Sequence, residues 1–159
     1  MILVGLTLAA AQPLQGSFRP AMTVSDVLSG VDMCRDVVTP GGIDHTPLQR
    51  KHWQTVKISS TNGDPMPAGA DDTWAPPATF MMVMLHGDAQ SAKCRVSAQV
   101  RDQSVVADVL EHFPVHLQPT GKAGELAADD GGQHVTVSTQ ANRDYPSINI
   151  VVSRPMGAK

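Results

Sequence analysis

Between Lys93 and Val100 the chain alternates: Cys94, Val96, Ala98 and Val100 are apolar or sulfur-bearing, whereas Lys93, Arg95, Ser97 and Gln99 are polar. A period of two sends successive side chains to opposite faces, so this stretch reads as a strand with one buried and one wet face, and Cys94 points inward. Ala78 to His86 precedes it across Gly87-Asp88-Ala89-Gln90-Ser91, and the two arms form a hairpin. The first arm is apolar on both sides, with Phe80, Met82 and Met84 on one face and Met81, Val83 and Leu85 on the other. Such an arm is either covered on both faces or meets a partner, which makes Met81, Val83 and Leu85 a candidate binding surface.

A different period governs the segment before it. Val24, Val27, Leu28, Val31 and Cys34 recur at spacings of three and four, the signature of a helix with one apolar stripe, and Thr23 or Ser25 can cap its start. Thr39-Pro40-Gly41-Gly42 ends it. Thr46-Pro47-Leu48-Gln49 opens a short helix, with Thr46 as cap and Pro47 at the first helical position, running to about Trp53. After the hairpin, Asp102 or Ser104 opens a second main helix in which Val105, Val106, Val109, Leu110 and Phe113 share a face, and Pro114 stops it.

Alternation returns at Thr55 to Ser59, at Val135 and Val137, and at Ile148, Ile150 and Val152, each of which reads as a strand. Val115-His116-Leu117 reads as a further strand start. Residues 60–77 and 118–132 are rich in Gly, Pro and Asp and read as long loops, with Trp74 in the first as a candidate binding residue. The order is helix, short helix, strand, hairpin, helix, strand, strand. It predicts an α+β domain with a mainly antiparallel sheet of about five strands and two main helices packed on one face.

The chain has 159 residues, a length suited to one domain, here 23–159 after an extended lead-in over 12–22. Eighteen valines favour pleated sheet. A net charge of −3 and six aromatic residues give neither a basic footprint nor stacking platforms, which argues against nucleic acid as a partner. Residues 1–11 change the compartment: an uncharged apolar run ends in Ala9-Ala10-Ala11, the pattern of a signal peptide, although it lacks the basic start such leaders carry, as a truncated one would. The run falls well short of the roughly 20 residues that span a bilayer, so no stable membrane span is expected in the mature chain. A periplasmic or secreted location follows.

Export gives the two cysteines a role. Cys34 faces inward by helical period and Cys94 by strand period, so both point into the layer between helix and sheet, and a pair without metal spacing in an exported chain is most simply a disulfide.

Six histidines raise a metal hypothesis. Glu111, His112 and His116 form the tightest cluster in sequence, but Pro114 breaks the helix that would align them. His45, His52, His86 and His134 are scattered, and the loop acids Asp64, Asp71, Asp72, Asp129 and Asp130 lack calcium-loop spacing. No nucleophile elbow, phosphate-binding loop or dinucleotide fingerprint is present. No cofactor is implied. The sequence therefore favours a small exported, disulfide-containing domain that binds a protein or small ligand without catalysis. The alternative is a periplasmic hydrolase or metal-dependent enzyme assembled from scattered histidines and loop acids.

Overall fold

The computed structural model describes residues 21–56, 72–77, 81–88, 90–141 and 145–155. The leader at 1–11, most of the lead-in, most of the first predicted loop and the start of the hairpin's first arm lie outside them.

Helix α1 (Val24–Val37) begins at a reciprocal cap: the Thr23 hydroxyl accepts the Asp26 N–H at 3.2 Å, and the Asp26 carboxylate accepts the Thr23 N–H at 2.9 Å. This arrangement satisfies backbone donors that the first turn leaves unpaired. A small hairpin follows, β1 (Val38–Thr39) and β2 (Gly42–Ile43), joined by Pro40-Gly41, and Gly42 takes a positive φ of 117° where the chain enters β2. Next come α2 (Thr46–Arg50), β3 (Gln54–Thr55), β4 (Asp72–Ala75), β5 (Val83–Gly87) and β6 (Ser91–Gln99). The chain finishes with α3 (Gln103–Glu111), β7 (Gln118–Pro119), β8 (Glu125–Asp130), β9 (Gln133–Gln140) and β10 (Ser147–Pro155).

Eight of these strands form one antiparallel sheet in the order β3-β4-β5-β6-β10-β9-β8-β7. The predicted α+β class and mainly antiparallel sheet hold, but the count does not: among the described residues the main sheet has eight strands, not about five, and there are three helices. Both segments expected to be long loops contribute strands. β8 is Glu-Leu-Ala-Ala-Asp-Asp, poor in strand-forming residues. It exists because Gly131 and Gly132 both adopt positive φ, 57° and 80°, the two-residue turn whose twist folds β8 back onto β9. β4 lies in a Pro- and Asp-rich stretch and pairs between β3 and β5. The expected strand at Val115-His116-Leu117 is instead irregular, and β7 begins at Gln118.

α1 packs across β6 and β10, with α2 and α3 against it. The sheet residues facing α1 have almost no exposure: Val83, Val96, Ile148, Ile150, Val152, Val135 and Val137 are all at 0 %. Gly30 permits this close approach. A Cβ added there would lie 2.7 Å from Met81 Sδ and 3.2 Å from both Val96 methyl groups. Cys34 and Cys94 meet at the same seam, joined as a disulfide with their Cα atoms 5.2 Å apart.

The far end of α1 is held by a polar clasp. The Gln133 amide, in β9 and buried, donates 2.7 and 2.8 Å hydrogen bonds to the carbonyls of Arg35 and Val38. Arg35 also pairs with Asp130, so both ends of the β8–β9 turn grip the helix terminus. α3 is capped by Asp102, whose carboxylate accepts the N–H groups of Ser104 and Val105. The Ser104 hydroxyl and the Arg101 guanidinium hold its carboxyl well below the usual carboxylate range.

Three outcomes follow. Gly30→Ala should cost about 1 to 3 kcal/mol in urea unfolding through overpacking, and a wild-type midpoint would show that α1 does not sit this close. Gln133→Ala should cost a similar amount, about 1 to 3 kcal/mol, by leaving the buried Val38 carbonyl and the part-buried Arg35 carbonyl without this donor. Because the Asp102 pKa is depressed on folding, its stabilisation is present above the ordinary Asp value and lost as pH falls through the folded one. Asp102→Ala should therefore lower the thermal midpoint near neutrality, and the gap to wild type should close on acidification. A gap constant with pH would contradict the cap.

Candidate functional site on the helix-free face of the sheet

Because α1 covers one face, alternate residues of every central strand project to the other. The register lays them out in rows. Met84, Arg95, Val151 and Thr136 form one; His86 and Lys93 continue through Ser153 and His134 to Asp129 in the next; Ser97, Asn149, Ser138 and Glu125 form a third. These side chains are half-buried or exposed, and Ser97 Oγ donates to Asn149 Oδ1 at 2.7 Å.

Where the first two rows cross β5, β6 and β10 there is a depression of about 170 Å³, lined by Met84, His86, Lys93, Arg95 and Val151. Its floor is apolar and its walls are basic. Asp88, the nearest acid on the hairpin turn, is already engaged: Oδ1 accepts the Gln90 and Ser91 N–H groups at 2.7 Å each, and Oδ2 lies 3.7 Å from His86 Nε2. Those two backbone hydrogen bonds, chiefly that from Gln90, draw its carboxyl below the ordinary value.

The second row places Ser153, His134 and Asp129 side by side, the residue types of a hydrolytic triad. The geometry differs from one. His134 Nδ1 is 2.8 Å from Asp129 Oδ1, but the Ser153 hydroxyl donates to the His134 backbone carbonyl at 3.3 Å, not to the ring, and the Asp129 side chain is 86 % exposed. The hydroxyl is turned to a backbone carbonyl instead of an imidazole and the carboxylate is largely exposed to water, two conditions a triad reverses.

Trp74 lies in β4, not in a loop. Half-buried at the edge of the core, it donates its indole N–H to Asp72 Oδ2 at 2.9 Å, and His45 Nε2 lies 2.9 Å from the same oxygen. The His45 and Trp74 rings are 5.7 Å apart at 36°. This cluster ties the start of α2 to the sheet. Sequence reasoning noted each residue and did not join them, since 27 positions separate His45 from Asp72.

The other candidate residues are dispersed. Met81, Val83 and Leu85 are at 2 %, 0 % and 3 % exposure, turned towards the helix layer, so the expected binding surface is core. Two-sided apolarity arises because Met84 takes the opposite face, where it floors the depression. Glu111 and His116 line a cleft of about 440 Å³ with Leu110, Phe113, Val115, Leu117 and Leu126. His112 instead turns back to its own helix, Nδ1 2.9 Å from the Asp108 carbonyl. Among the described residues no three His, Cys, Asp or Glu side chains converge as a metal site, and no helix is long and apolar enough to cross a membrane.

Lys93 and Arg95 were legible as the wet face of a strand. What the sequence did not contain was the register that sets them against β5 and β10. Compared with known proteins, the chain matches no family model, no curated protein and no solved structure.

Replacing Asp72 with Ala should red-shift the Trp74 fluorescence in a Trp53→Phe background, with little change in unfolding midpoint because the cluster is exposed. An unshifted spectrum would show that the indole does not donate to this carboxylate.

Proposed function

We propose that this chain is a small exported domain, periplasmic or secreted, that acts by binding a ligand on the helix-free face of its sheet and not by catalysis. One observation carries the reading: the helices seal one face with side chains of near-zero exposure, while the opposite face keeps half-exposed polar residues and a basic depression. Concave sites with an apolar floor and a few convergent polar groups are where small ligands bind. Export is supported by the disulfide, a bond that persists in oxidising compartments, and by the leader-like residues 1–11.

The rival, a hydrolase built from the scattered histidines, draws on three His–Asp pairs among the described residues, His45–Asp72, His86–Asp88 and His134–Asp129. Each is surface-exposed, and none carries a hydroxyl activated by its imidazole among the described hydrogen bonds.

The test is a small-molecule screen against 15N-labelled protein, with ester and amide substrates included. Amide shifts clustered on β5, β6 and β10 are expected. Shifts confined to the cleft beside α3, or substrate turnover abolished by His45→Ala or His134→Ala, would contradict the proposal.

A further inference from the structure

We infer that the depression between β5, β6 and β10 is an oxyanion site, built to hold the phosphate of a phosphomonoester or a free phosphate ion. This rests on the binding reading above and names the chemistry of its ligand.

The argument starts from charge. The chain as a whole is acidic, at −3, so a local surplus of positive groups is not the background of its surface. Lys93 and Arg95 are two residues apart on β6 and project to the same side, with Cβ atoms about 7 Å apart. His86 stands directly across from Lys93, and Met84 directly across from Arg95. All four line the depression, and Val151 completes it from β10.

Among the described residues the acids offset it only in part: the Asp88 carboxylate lies against His86 and acts on Lys93, and the guanidinium of Arg95 is left over. Among the described residues Arg95 has no ion-pair partner. Asp88 spends both carboxylate oxygens on its own turn and His86. Asp129 pairs with His134 at the far end of the row, and Glu125 pairs with Lys122. A guanidinium left with unfilled donors beside a lysine is a standing acceptor of an oxyanion, because bidentate, charge-assisted hydrogen bonds are the strongest such donors make.

The floor adds selectivity. Arg95 is flanked across the strands by Met84 and Val151, which pack its aliphatic stem and present apolar surface beside the anion. A phosphate carrying an organic group would rest that group there, while a bare ion would use the basic walls alone. The volume of about 170 Å³ admits a phosphoryl group and a few carbon atoms, not a sugar-nucleotide or an extended peptide.

The experiment is titration of the oxidised full chain, 15N-labelled, at pH 7 and constant ionic strength. The probes are inorganic phosphate, phenyl phosphate, sodium acetate and sodium chloride. Saturable shifts at Met84, His86, Lys93 and Arg95 with both phosphates are expected, and acetate should be weaker. Phenyl phosphate binding tighter than inorganic phosphate assigns an ester; equal affinities assign the free ion. Arg95→Gln and Lys93→Gln should each weaken phosphate at least about tenfold, and both residues are exposed, so the variants should fold. Asp129→Asn should leave affinity unchanged. Shifts spread over all surface cations, acetate equal to phosphate, or undiminished binding in Arg95→Gln would overturn the site. If the open face binds other library compounds near Ser97 and Asn149 while phosphate fails, the anion assignment falls and the binding face stands. If no compound touches that face, both fall.

Discussion

The seat of α1 on the hairpin arm β6 is the contact from which the other features follow. A glycine, two valine methyl groups and a disulfide share it: Gly30 lets the helix backbone approach, Val96 fills the gap, and Cys34–Cys94 prevents the two surfaces from separating. The cross-link joins positions 60 residues apart. In the chain-entropy model a loop of that length is worth roughly 4 kcal/mol, large beside the 5 to 15 kcal/mol of an ordinary domain. The Gln133 clasp reinforces this cross-link immediately beyond Cys34, so the C-terminal half of α1 is the part fixed to the sheet.

That attachment decides which face of the sheet is available. With α1 across β6 and β10, every even-numbered residue of those two strands from Ala92 to Ala98 and from Ile148 to Val152 is buried. The odd-numbered residues must then meet water or a ligand. They include Lys93, Arg95, Asn149, Val151 and Ser153. The binding proposal and the anion site both follow from a sheet that, among the described residues, carries helices on one face only, and neither requires a motif of the kind that marks catalytic families.

Much of this arrangement could be read from the sequence, and the reasons for the rest are physical. α1, α3 and the inward parity of Cys34 and Cys94 came directly from periodicity, and each helix cap was narrowed to two candidates, Thr23 or Ser25 and Asp102 or Ser104, of which the structure uses Thr23 and Asp102, because apolar patterning and capping are local signals. β8 did not, since its Ala- and Asp-rich residues have low strand propensity and it is made by pairing with β9. The Gly131-Gly132 dipeptide between two short runs was the available signal, and grouping it with the other glycines of the segment concealed it. Met81, Val83 and Leu85 were placed on the correct face of their strand with the wrong neighbour, because period two separates faces without saying which of them a helix will cover. The basic depression depends on the alignment of β5, β6 and β10, a long-range fact that no single stretch encodes. His45, Asp72 and Trp74 meet for the same reason.

The most direct measurement of the central claim is equilibrium urea unfolding of the oxidised chain against the same chain reduced and alkylated. A cross-link closing a 60-residue loop predicts that reduction lowers stability by roughly 4 kcal/mol, with alkylation of the unreduced, unfolded chain labelling neither cysteine. Two labelled thiols before reduction, or superimposable unfolding curves, would contradict the attachment of α1 to the sheet on which the account rests.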